Sequence, residues 1–292
     1  MASSEEINPV NNDIPDKIMV EVSAFPSMPR AGFKLRALLN REDVELTEIE
    51  EILRHDPGLA TNVLRLANSA FFGLSQKVGS LKQAVMLLGV KRFAQIAVSA
   101  SMSKTMEKAV EGYYLSPGEL WHHSIAVSNT AEALAKNRKI DSTDDVFTPA
   151  LVHDMGKLVL DKFVKKDLQK IENLTSNAVP LEVAEHMVLG TDHAEIGALI
   201  LARWSFPIDI VNAVRWHHNP ENIKSSKINS DIVYLSNQIC QSNTGTASDS
   251  GQNAAPSSVV LKRLGIKLDQ YKAMAEKTHR WMKKLSYALA FE

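Results

Sequence analysis

The residues best suited to chemistry are histidines and one adjacent aspartate. The chain holds nine histidines, and most lie in its second half. Val152-His153-Asp154-Met155-Gly156-Lys157 places an imidazole nitrogen beside a carboxylate. That pair can bind one divalent ion, and the carboxylate can bridge to a second. Lys157, one helical turn on, could steady an anionic oxygen such as a phosphate. Taken alone, a His-Asp pair also fits a solvated or capped helix face. His123 sits on an apolar stripe with Leu120 and Val127, the pattern of a core histidine bonded to a carbonyl. His122 is rotated about 100° away on the same helix and suits a surface position. His193 stands at a helix start beside two acids. His217-His218 ends an apolar helix, where imidazolium suits the helix dipole. One shared site explains these placements more economically than four coincidences, because bundles build two-ion centres from donors on several helices.

The elements that must carry these residues read as helices throughout, so the expected fold class is all-α. Residues 1–22 are polar and irregular and are expected to form a partly ordered lead-in. Helical text starts at Phe25. Thr47 with Glu50 resembles a capping box. Asp56-Pro57 suits an N-cap and first helical residue, and Gly73 a stop. Ser80 opens a helix that Gly89 closes, and Lys91 to Met102 forms another. In the second block one helix is expected over 148–163, others from Leu181, from Asp192 with Glu195, and from Pro207, and one over 231–240. No run alternates with period two between hairpin turns. The organisation is then an N-terminal helical part over 23–112 and a histidine-bearing part over 113–241. A small polar loop follows over 242–257, with C-terminal helices over 258–292 packing back.

Composition bounds the partners. The 292 residues are 45% hydrophobic and 23% charged with net charge −1, ordinary for a globular protein and unfavourable for a broad nucleic-acid footprint. Lys91-Arg92 and Lys283-Lys284 are the candidate basic patches for an adaptor that touches nucleic acid; such pairs more often face solvent. Cys240 is the single cysteine, which forbids an internal disulfide and fits a reducing cytoplasm. No apolar run reaches transmembrane length and no export leader is visible, so no membrane partner is expected.

Several stretches together resemble a known family. FPSMPR, ILRHDPGLATNVLRLANSAFFG and SLKQAVMLLGVKRFAQIAV are similar to HDOD domains (HD-related output domains). LVHDMGKLVL, HAEIGALILARW and AVRWHH resemble the metal-binding pattern of the HD phosphohydrolase superfamily, especially its HD-GYP phosphodiesterase branch. The resemblance runs from Phe25 to Cys240. It implies a bacterial signalling or regulatory role and an HD-type bundle. It also implies one or two divalent ions, iron, manganese or zinc, on His123, His153, Asp154, His193, His217 and His218. The pattern departs in two places. Asn237 stands where HD hydrolases carry a last aspartate, with Asp231 two turns earlier, and no Gly-Tyr-Pro follows His218-Asn219-Pro220-Glu221. The first expectation is therefore a non-catalytic module that engages other signalling proteins or a nucleotide or phosphate ligand. The alternative is a metal-dependent phosphohydrolase or cyclic-dinucleotide phosphodiesterase, with Lys157 on the phosphate.

Overall fold

A computed structural model describes residues 13–39, 41, 43–69, 71–74, 76–138, 144–223, 228–241 and 255–289. Six helices come first: α1 (Asp13–Ala24), α2 (Arg30–Leu39), α3 (Leu46–Arg54), α4 (Pro57–Ala67), α5 (Leu81–Leu88) and α6 (Val90–Met106). A 3-10 turn over Glu111–Tyr113 leads into α7 (Glu119–Asn137), α8 (Asp144–Val152), α9 (Lys157–Lys166) and α10 (Leu168–Ser176). Then come α11 (Leu181–Leu189), α12 (His193–Arg203), α13 (Ile208–Arg215) and α14 (Ile228–Gln241), and α15 (Ser258–Leu264) and α16 (Leu268–Leu289) close the chain. Among the described residues the only pairing of extended backbone is an isolated antiparallel bridge between Val110 and Leu115. The fold is all-α, as the periodicity predicts.

Local chemistry explains most helix ends. Asp56 accepts from the Leu59 amide at 2.9 Å and Ser80 from Gln83 at 3.2 Å. Asp192 accepts from Glu195 at 2.9 Å. Each satisfies an orphan first-turn donor. Gly89 has φ +80° and ends α5, where a side chain would be strained.

Other ends differ from the sequence expectation. The cap of α3 is Glu45, whose amide donates to the Glu48 carboxylate at 3.4 Å, so Thr47 and Glu50 lie inside the helix. α4 stops at Ala67 rather than Gly73. Asn68 follows it, donating to the Val78 carbonyl at 2.8 Å and accepting from its amide at 2.7 Å, and this exchange turns the chain. The expected lead-in is partly helix: Ile18 and Val22, one turn apart in α1, are buried and hold it to the core. Residues 1–12 and 242–254 lie outside the described residues, and with them most of the expected loop.

α6 lies at the centre of the N-terminal part. Its buried serines remain compatible with an apolar core because each hydroxyl bonds its own helix: Ser99 to Gln95 at 2.9 Å, Ser101 to Val98 at 2.6 Å and Ser103 to Ala100 at 3.2 Å. Arg92, offered by sequence as a nucleic-acid contact, turns inward instead. It donates to Glu132 on α7 and to Asn129 at 2.6 Å, and lies over the Phe72 ring at 5.0 Å. Arg92 thus ties α6 to α7. A second apolar cluster gathers α7, α8, α13, α14, α15 and α16 around Leu134, Leu235, Ile239 and Val260.

Candidate metal centre

The histidines arrive from four places in this bundle. His123 lies within α7, His153 and Asp154 in the break between α8 and α9, His193 at the first residue of α12, and His217-His218 just past α13. The break corrects the single helix expected over 148–163. Gly156 lies in it, where a Cβ would stand 2.0 Å from the His193 carbonyl oxygen and 2.7 Å from the Gly197 amide. Backbone of α12 therefore packs directly on the break, which brings His193 against Asp154.

Asp154 is the shared member. Its Oδ1 faces Nε2 of His193 at 3.4 Å and of His217 at 3.7 Å. Its Oδ2 faces Nε2 of His153 at 3.4 Å and of His123 at 3.8 Å, and accepts from Lys157 at 2.8 Å. His218 completes the first side, its Nε2 lying 2.8 Å from that of His193. Two groups result, Asp154-His193-His217-His218 and His123-His153-Asp154, with donor atoms of each within 4.8 Å of one another. Asn237 reaches the second group only through Oδ1, 3.0 Å from His123 Nε2. Asp231 does not join it: Arg263 grips this buried carboxylate through Nη2 and, at 2.7 Å, through Nε. Lys157 is buried, paired with Asp154 and set 5.5 Å from the Tyr113 ring centroid. His122 points away, its ring 5.6 Å from that of Phe71.

The donor set fits a divalent ion. A carbonyl can only accept, so Nδ1 of His153 donates to Ala150 at 2.8 Å and Nδ1 of His217 to Val214 at 2.6 Å. Nδ1 of His193 donates to Glu185 at 2.7 Å. These bonds aim the Nε2 lone pairs inward. His153 Nε2, His217 Nε2 and Asp154 Oδ1 are all buried without a hydrogen-bond partner, a costly arrangement that a cation would relieve.

Protonation is compatible with that role. Burial, with His153 adding to it, drives His123 down to about 3. Burial drives His217 down to about 4, and burial with the His217 neighbour lowers His218 well below the usual histidine range. Burial would raise Asp154, but His153 and Lys157 outweigh it and hold the carboxyl well below the usual range. Burial would lower His193, but the charge and hydrogen bond of Glu185 outweigh it and raise it. The contact between His193 and His218 needs one shared proton, which an ion would displace.

Sequence reasoning missed Glu185 and Tyr113. Glu185 accepts from both the amide and Nδ1 of His193, and Tyr113 Oη donates to its other oxygen at 2.6 Å. A carboxylate on the apolar face of α11, beside Ala184 and one turn before Leu189, was the available signal for Glu185. Tyr113 carried none.

Comparison with known proteins places the fold. The family model for the HDOD domain matches residues 25–220. A presumed phosphohydrolase from Shewanella amazonensis SB2B is similar in structure, with TM-score 0.72 and 24% identity, covering 93% of this chain and 97% of that one. An HDOD domain protein of unknown function from Geobacter sulfurreducens gives TM-score 0.70 at 20% identity, covering 94% and 96%. A presumed signal transduction protein from Marinobacter aquaeolei VT8 gives TM-score 0.72 at 19% identity, covering 97% of this chain and 66% of that one. At such identities these likenesses establish the fold. An uncharacterized protein of Treponema pallidum (strain Nichols) is 24% identical over 225 residues, which span 75% of this chain and 43% of the relative. The matched region is thus less than half of that relative's length. No described helix is long and apolar enough to cross a membrane.

Proposed function

The chain belongs to the HDOD family, and we propose that it is a non-catalytic signalling module whose buried centre binds a divalent ion, iron, manganese or zinc. One observation carries the reading. Asp154 Oδ1 and Nε2 of His153 and His217 are buried, converge, and have no hydrogen-bond partner. Asp154, His193, His217 and His218 would hold one ion. His123, His153 and Asp154 would hold a second, weaker one.

The weakness lies at Asn237. A neutral amide faces His123 where HD hydrolases have a carboxylate, and the nearest acid on α14, Asp231, is committed to Arg263. In two-ion hydrolases the ions supply hydroxide and offset charge on the phosphate. A centre with one well-held ion suits binding of a phosphate or nucleotide ligand better than cleavage. Lys157 could reach such a ligand only by releasing Asp154. Other signalling proteins are the partners this reading implies. A bacterial cytoplasm is the setting, in keeping with the free, buried thiol of Cys240.

A metal-dependent phosphohydrolase is the second reading, favoured by the two oxygens of Asp154 facing different histidine sets. Elemental analysis and a phosphoester screen separate the two. The expected result is about one ion per chain and turnover far below an ordinary enzymatic rate of about 1 per second. Asn237→Asp should raise the content toward two ions. Turnover of a cyclic dinucleotide or phosphomonoester at that rate by the unmodified protein would overturn the non-catalytic reading.

A further inference from the structure

We propose that Tyr113 and Glu185 are positioning residues for His193, so that ion binding is linked to the connector between the two parts of the chain. The inference rests on the reading of the centre as an ion site. It starts from a fully buried chain of bonds. Tyr113 Oη donates to Glu185 Oε1 at 2.6 Å, and Glu185 Oε2 accepts from His193 Nδ1 at 2.7 Å and from its amide at 2.9 Å. Tyr113, Glu185 and His193 are 3%, 0% and 0% exposed, so water cannot replace any partner. The carboxylate fixes the ring plane and keeps the Nδ1 proton in place, leaving the Nε2 lone pair facing the space beside Asp154 and His218. A carboxylate behind a ligating imidazole also raises its basicity.

Tyr113 touches the other side of the centre as well. The Lys157 ammonium, which holds Asp154 at 2.8 Å, lies 5.5 Å from the Tyr113 ring centroid. One aromatic residue thus contacts the cation beside Asp154 and the acid behind His193.

Its own position is set by the connector between α6 and α7. Val110 and Leu115 exchange amide bonds at 2.9 and 3.1 Å, closing the segment into a loop with Tyr113 near its tip. The Gly112 amide donates to Asp161 on α9 at 2.7 Å. A Cβ on Gly112 would come within 2.5 Å of the Asp161 carbonyl oxygen, so the loop lies flat on α9 in a way only glycine permits. The loop that carries the chain out of the N-terminal helices therefore inserts a side chain behind a proposed ion ligand. By linkage, whatever orders this loop strengthens the centre, and an ion in the centre orders the loop.

The test measures Zn2+ and Mn2+ affinity by calorimetry on the full chain, together with amide hydrogen exchange over 110–115. His193→Ala should abolish binding at the stronger site. Glu185→Gln keeps the shape and loses the charge, and affinity should fall about 10- to 100-fold; Tyr113→Phe should cost less, in the same direction. Adding metal to the unmodified protein should slow exchange over 110–115, and Tyr113→Phe should remove that metal-dependent slowing, which a merely structural role would not do. If Glu185→Gln does not fold, Tyr113→Phe and the exchange experiment decide alone. Unchanged affinity in Tyr113→Phe with metal-independent exchange overturns the linkage and leaves the ion site standing. No binding by the unmodified protein overturns both.

Discussion

At the scale of single residues, environment decides what each ionisable group can do. Cys240 is buried on α14 with Thr130 Oγ1 at 3.5 Å, and burial pushes its thiol up from 9.0 to about 12. At pH 8 the thiolate fraction is on the order of 1 in 10,000, and the thiolate is the reactive form. Ellman's reagent should therefore leave the native protein untouched and titrate one thiol once guanidinium unfolds it; rapid reaction of the folded form would contradict the burial. The sign for stability follows. The folded-state value is raised, so this contribution is whole below 9.0 and is lost as pH rises toward about 12. Asp154 is the opposite case, a buried carboxyl that its histidine and lysine neighbours keep ionised.

At the scale of elements, the junctions matter more than the helices. Gly156→Ala would put a methyl group 2.0 Å from the His193 carbonyl oxygen. The clash is with backbone, so α12 must move. A loss of about 3 kcal/mol or more is expected, with loss of bound metal, read by denaturant titration and elemental analysis. Gly58→Ala is the control. In the first turn of α4 its Cβ would meet only Asp56 Oδ1, at 3.5 Å, and it should stabilise by about 0.4–1 kcal/mol. The joint between α14 and α15 rests on charge. Asp231 is 1% exposed at its side chain and Arg263 25%, and Arg263 also reaches the Pro220 carbonyl at 3.3 Å, just past His217-His218. Arg263→Ala removes the guanidinium that grips this buried carboxylate and should cost about 3 kcal/mol. Urea denaturation of the single variant and of Arg263→Ala with Asp231→Ala checks this, because the double change should recover part of the loss.

For the whole molecule, the candidate centre draws donors from α7, the α8–α9 break, α12 and the end of α13, with Asn237 of α14 beside them. Unfolding separates these elements. An ion bound only by the folded state therefore stabilises by mass action, about 2.7 kcal/mol at 100 times its dissociation constant. For a chain of this size that corresponds to roughly 4–5 °C. Stripping the protein with a chelator should lower its melting temperature by that amount, and returning zinc or manganese should restore it. A melting temperature indifferent to chelation would count against the ion site.

What the sequence determined alone was chiefly local. Caps at Asp56, Ser80 and Asp192 were legible because each bond spans three residues, and the all-α class because helical periodicity repeats within every segment. The identity of the clustered histidines and Asp154 was legible as a set, through motifs whose order in the chain resembles the HD pattern. Tertiary structure decided the rest, because the determining contact lies far away in sequence. At the break after Val152, Gly156 meets the backbone of α12 too closely for any side chain. Arg92 turns inward because Glu132 and Asn129 wait on α7. Ile18 and Val22 make a helix of a polar-looking lead-in because a core is there to receive them. Asp231 is withdrawn from the centre by Arg263, which follows it by 32 residues. Tyr113 stands behind His193 because Gly112 lets its loop lie against α9, and a packing relation of that kind leaves no trace in residue spacing.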